Sequence, residues 1–330
     1  MDGEQLRARR ASRSRELRRR RMLALGGLGA VLLAVVLLAT LTGSGGSSGS
    51  GGSSGTGSEA RSARHTPAGG KRTAAPRTTS TGIATTRVGP PGQEPVPILM
   101  YHVIAAPPAG APFPGLYVEP AEFAAQMQAL KSAGWHAVTP DQVASYWREG
   151  KPLGPGKPIV LSFDNGYQSQ YTQALPVLRR LGWVGEENIQ LSGLPPSQGG
   201  LLQRQIRGLV AAGWELDTQG FSHADLVTLG AEALHYQVAV SRRTIQQRFH
   251  VPVNWFCYPS GHYDATVIDA VKAAGYAGST TVVPGWAHRE EDPYRLHRLR
   301  VLGGTSPQQL LDEIAAVRED PSAPASYTGG

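Results

Sequence analysis

The stretch KPIVLSFDNGY, Lys157 to Tyr167, runs from an apolar, β-branched segment straight into a carboxylate, an amide and a glycine. A nearly continuous apolar run of that length fits a strand buried on both faces, as in parallel sheets. Folds built on parallel strands place their chemistry where the strands end, which makes Asp164 and Asn165 candidates. Asp, Asn and Gly are also turn formers, so a plain strand-to-loop turn remains open on this stretch alone.

Working outward, similar apolar runs predict strands near residues 96–103, 187–191, 214–218, 254–258, 278–283 and 299–302. Amphipathic segments lie between them. Pro120 suits a first helical position, and Phe123, Met127 and Leu130 follow on one stripe. Asp264 is placed to cap a helix burying Val267, Ile268 and Val271. Ser306-Pro307 opens one burying Leu310, Leu311, Ile314 and Val317. Strand–helix alternation of this kind implies a mostly parallel sheet covered by helices, open or closed into a barrel.

The first third of the 330 residues reads differently. Residues 1–21 hold 9 arginines against 3 acidic residues and form a basic tail. Met22 to Thr42 carries no charge and is long enough for a helix that needs about 20 residues to cross a bilayer. The arginines before it predict a cytoplasmic N-terminus and a C-terminal domain outside the cell. A cleavable signal peptide is the alternative, but the apolar run is longer than usual and no clear small-x-small site precedes the Gly/Ser tract. Residues 43–94 are a Gly/Ser/Thr/Pro-rich linker expected to be disordered. The net charge of +7 comes from these segments, because residues 98–330 hold 17 basic against 20 acidic side chains. That balance removes the basic stripe a nucleic-acid partner requires. The one cysteine, Cys257, rules out an internal disulfide.

Two further strand ends carry polar residues. One reads Asp217-Thr218-Gln219-Gly220-Phe221-Ser222-His223, the other Phe256-Cys257-Tyr258-Pro259-Ser260-Gly261-His262-Tyr263. Together with PVPILMYHVI, FAAQMQALKSAGWHAVT and ALPVLRRLGW, in this order, these segments resemble the polysaccharide deacetylases (carbohydrate esterase family 4, NodB-like). The branch acting on poly-N-acetylglucosamine is the most similar. The resemblance spans about Pro97 to Gly304 and implies that residues 95–330 form a distorted (β/α) barrel.

Carried over by position, the resemblance makes Asp164 the catalytic base and His102 the proton donor to the leaving amine. It places Asn165, Gln219 and His223 at the three positions that hold the family's metal, where an Asp and two His are usual. It assigns the oxyanion contact to the Ser260 N–H and the sugar site to Tyr258, Pro259, Ser260 and Trp286, although a buried aromatic is the commoner explanation for Trp286. Zinc favours anionic and imidazole ligands over neutral amide oxygens, so the resemblance implies a weakened divalent-metal site; Asp217 is the nearest carboxylate that could substitute. The expected partner is an N-acetylated polysaccharide or peptidoglycan glycan. Two functions follow: a membrane-anchored, extracytoplasmic amide hydrolase, or a fold that binds glycan without turnover. A third, a purely structural wall module, rests on the fold alone.

Overall fold

The computed structural model describes residues 90–194, 199–318 and 323–329. The basic tail, the apolar span 22–42 and the linker as far as residue 89 lie outside the described residues. Among the described residues no helix is long and apolar enough to cross a membrane. The chain is already held at its described start: Gly92 N–H donates to the Tyr146 carbonyl at 2.9 Å, and Trp147 Nε1 donates to the Glu94 carbonyl at 3.0 Å.

The order is β1 (Ile98–Tyr101), α1 (Pro120–Ser132), β2 (Trp135–Val138), α2 (Pro140–Glu149), β3 (Lys157–Asn165), α3 (Leu175–Leu181), β4 (Glu186–Ile189), α4 (Gln203–Ala211), β5 (Glu215–Thr218), α5 (Ala231–His235), α6 (Ser241–Phe249), β6 (Trp255–Cys257), α7 (Ala265–Ala273), β7 (Gly278–Thr280), β8 (Leu299–Arg300) and α8 (Pro307–Ala316). Single π-turns at Gln170–Ala174 and Tyr236–Val240 lead into α3 and α6. Three of the helices begin at side-chain caps. Thr139 and Gln142 form a reciprocal capping box with Pro140 inside it, Ser306 and Gln309 do the same at α8, and Asp264 accepts from the Val267 N–H.

All strand pairs are parallel, in the order β7-β6-β5-β4-β3-β1-β8, with β2 added to the lower half of β3. Val160 pairs with Ile98 on one side and Val138 on the other, so the nine-residue β3 serves three neighbours. The segment before β8 then reaches the opposite edge: Leu296 N–H bonds the Ser279 carbonyl and Arg298 N–H the Val283 carbonyl, while Val301 N–H bonds Met100. One segment thus touches both edges of the sheet, which curls into a half-barrel.

Alternation along the strands sorts two layers. Outward residues such as Tyr101, Phe163, Leu216 and Phe256 pack under the helices, with Phe163 on Trp214 at 4.9 Å and Tyr101 edge-on to Phe123 at 5.2 Å. Each such fully buried side chain contributes about 1.5–3 kcal/mol. Inward residues, among them Ser162, Asp164, Glu186 and Arg298, are polar and fully buried. The strand β2 was not foreseen: it is four residues long, three of them only half-buried, too short and too wet for a clear apolar pattern.

Candidate active site

Parallel strands bring their C-terminal ends to one side of the sheet, so His102 after β1, Asp164 and Asn165 at the end of β3, Gln219 and His223 after β5, and Tyr258 to His262 after β6 gather there. Backbone strain marks the same places. Four non-glycine residues among those described have positive φ, and three are Asn165 (76°), His223 (55°) and Ser260 (56°), one in each motif. The fourth, His250, ends α6.

Asp164 is 1% exposed and lies at the centre. Arg298, also fully buried, holds both its oxygens: Nη1 donates to Oδ1 at 2.8 Å and Nη2 to Oδ2 at 2.9 Å. Asn188 Nδ2 donates to Oδ1 at 3.2 Å, and the Cys257 thiol lies 3.5 Å from Oδ2. Burial alone would push the carboxyl up, but the Arg298 charge and its paired hydrogen bonds outweigh that and hold Asp164 below the usual carboxylate range. It is therefore an ionised group in a dry site.

His102 and His223 both lie within the electrostatic reach of Asp164. Burial lowers His102 to about 4, with Arg300 and Arg298 adding to the effect and Asp164 opposing it; its Nδ1 has no hydrogen-bond partner. Burial likewise lowers His223. Gln170, on the π-turn, ties the two strand ends together by donating from Nε2 to the carbonyls of both His102 and Asp164, each at 2.8 Å. Gln237, on the second π-turn, holds the β5 loop: its Oε1 accepts from Phe221 and Ser222 N–H at 2.8 and 2.9 Å, and its Nε2 donates to Ser222 Oγ at 2.7 Å.

The metal positions fit zinc poorly. Asn165 and Gln219 offer neutral amide oxygens beside one imidazole, and Gln219 Oε1 is buried without a partner. Among the described residues no group of three His, Cys, Asp or Glu is arranged to hold an ion. Asp217 does not substitute. Its Oδ1 accepts the N–H groups of Asn254 and Trp255 at 2.9 and 2.8 Å, so the carboxyl joins β5 to β6.

Two residues expected to line the sugar site have their side chains packed into the interior. Trp286 is in the core, packed on Trp135 at 5.7 Å with Nε1 donating to the Ile314 carbonyl at 2.8 Å. Tyr258 is fully buried, its hydroxyl donating to the Tyr294 carbonyl at 2.9 Å. Pro259 is buried, whereas Ser260 is exposed on the turn. Arg298, Gln170 and Asn188 went unread. Arg298 had a signal, because an arginine beside an apolar strand demands a carboxylate and Asp164 was the one at a strand end. Nothing in the sequence distinguishes Gln170 from a surface glutamine.

Residues 151–279 match the family model Polysaccharide deacetylase. YxkH of Bacillus subtilis (strain 168), described as a candidate polysaccharide deacetylase, is 29% identical over 212 residues, 64% of this chain and 73% of that protein. The poly-beta-1,6-N-acetyl-D-glucosamine N-deacetylase of Escherichia coli (strain K12) is 44% identical over 54 residues, which span 16% of this chain and 8% of that enzyme. The crystal structure of BC0361, a polysaccharide deacetylase from Bacillus cereus, superposes with a TM-score of 0.60 at 25% identity, covering 67% of this chain and 69% of the other. The motif order, the parallel half-barrel and these likenesses agree: residues 151–279 carry the match to the polysaccharide deacetylase domain, and the fold around them is that of a solved polysaccharide deacetylase.

Proposed function

We propose that this domain removes N-acetyl groups from an exopolysaccharide or cell-wall amino sugar, with Asp164 as base and His102 as proton donor. The observation that carries this reading is the Asp164–Arg298 pair: a buried carboxylate kept ionised next to a buried imidazole at the mouth of a parallel sheet. Amide hydrolysis needs a proton removed from water and a proton delivered to the departing amine, and these two groups have the types required. The exposed turn at Ser260 offers a backbone donor for the oxyanion. The short match to the E. coli enzyme supports β-1,6-linked N-acetylglucosamine as the polymer to test first. The apolar span 22–42 and its flanking arginines support a single-pass anchor with this domain outside the cell.

His102 acts as an acid only as imidazolium, which its environment favours only near pH 4. Asp164 is held below the usual range and stays ionised as pH falls. Acetate release from β-1,6-linked N-acetylglucosamine oligomers should therefore rise as pH drops from neutrality toward about 4, and Asp164→Asn should abolish it. A second reading is favoured by the amides at Asn165 and Gln219: glycan binding without turnover. Oligomer binding with no acetate at any pH would select it. Under that reading, Asn165→Asp with Gln219→His should raise zinc affinity and recover release; neither binding nor release in the starting chain would overturn both.

A further inference from the structure

Trp286 lies in the core, and a different segment runs beside the loop after β6. Residues 323–329 form a strap beside the β6 loop. Tyr263 N–H donates to the Tyr327 carbonyl at 2.7 Å and Tyr327 N–H returns to Tyr263 at 2.8 Å. The Tyr263 hydroxyl donates to the Pro324 carbonyl at 2.8 Å, and Arg295 Nη1 to the Ala323 carbonyl at 3.0 Å. Four hydrogen bonds along one side fix the strap's height and direction.

This places Tyr327 next to the candidate site. Its ring centroid is 6.2 Å from that of His262. His262 lies 3.1 Å from Asp225 through Nδ1 and within electrostatic reach of His223, which in turn feels Asp164. Tyr327 therefore pairs with the same loop after β6 that carries Ser260, three residues from that turn. The strap passes close over the imidazole because residue 329 is glycine: at φ 87°, a Cβ there would lie 3.0 Å from His262 Nε2. Tyr258 and Tyr263 are fully buried beneath, whereas Tyr327 and His262 keep part of their surface open.

A half-open aromatic ring held rigid at the edge of a polar groove presents an apolar face to the C–H face of a pyranose at little ordering cost. We infer that Tyr327, presented by the strap and flanked by His262, is a sugar-binding subsite for the residue adjacent to the one deacetylated. It rests on the reading of the groove as a glycan site, and it sets the shortest oligomer that binds well.

The test is calorimetric titration of the full chain with N-acetylglucosamine and its β-1,6-linked oligomers. Tyr327→Ala should weaken oligomer binding about tenfold, the scale of one well-packed aromatic anchor, and leave monosaccharide affinity unchanged. Tyr327→Phe should match the starting protein, since the ring carries the contact. In Tyr327→Trp, the added indole should change its fluorescence on oligomer addition and not on monosaccharide addition; this readout needs no loss of the strap. Equal oligomer affinity in Tyr327→Ala, or a silent indole in Tyr327→Trp, while the starting protein binds, overturns the subsite alone. Absence of oligomer binding by the starting protein overturns the glycan reading and the subsite together.

Discussion

Arg298 and Asp164 compensate each other's charge in a dry interior. Neither charge would persist there alone, because desolvating an ion costs several kcal/mol and the pair recovers this only through its two aligned hydrogen bonds. Arg298→Met should lower stability by about 3–5 kcal/mol, the usual penalty for stranding one member of a buried pair. Adding Asp164→Asn should restore part of it, since the stranded charge is then gone. Urea denaturation of the two single variants and the double variant measures this coupling; strict additivity would mean that the pair is not the unit described here. The same residues mark the limit of what could be read in advance. Asp164 was visible because a long apolar run stops at it, whereas its partner lies 134 positions away and is joined to it only by the fold.

At the scale of elements, the β5 loop has little regular structure of its own and depends on one side chain. Gln237 satisfies two partly buried N–H groups and one hydroxyl, each bond contributing about 0.5–1.5 kcal/mol. Gln237→Leu should therefore loosen residues 219–223 while α5 and α6 persist. Hydrogen exchange at the Phe221 and Ser222 amides should accelerate relative to the starting protein; unchanged protection would remove Gln237 from this role. The strands and capped helices were legible because their signals are local: β-branched runs, Thr139 with Gln142, Ser306 with Gln309. The π-turns that carry Gln170 and Gln237 were not, since a one-residue insertion in a helix leaves no compositional trace. The sequence leaves Trp286 open between a groove wall and the core. Its neighbours Pro284 and Gly285 look like a groove rim, and only the packing on Trp135 shows it to be interior.

For the whole molecule, the inward face of the sheet carries more acid than base. Glu186, Glu215 and Asp217 share that face with Asp164, and Arg298 is already taken by Asp164. Burial first raises all three carboxyls; repulsion from Glu215 helps bring Glu186 to about 8, repulsion from Asp141 helps bring Glu215 to about 7, and Glu215 and Glu186 add to the rise of Asp217, while Glu187, on the outward face, is raised by burial as well. The folded chain therefore keeps protons that the unfolded chain releases above its ordinary carboxyl range, so stability falls as pH rises from about 4.5 through about 8. His102 works in the opposite sense, its lowered value costing stability as pH falls from about 6.5 toward 4. The melting temperature should therefore peak on the acid side of neutrality and decline toward alkaline pH, with Glu215→Gln flattening the decline. A midpoint that held constant from weakly acidic to alkaline pH would contradict this account.

Cys257 has a practical consequence. It is the chain's one thiol, it is fully buried, and it is wedged 3.2 Å from Arg298 Nη2 beside Asp164, with burial pushing its ionisation far up. Such a sulfur is inert to alkylating reagents until the strands part. The protein thus contains a built-in clock at its centre: the rate at which a maleimide labels the unmodified chain reads how often the innermost layer breathes, and a saccharide that stapled the mouth would be seen to slow it.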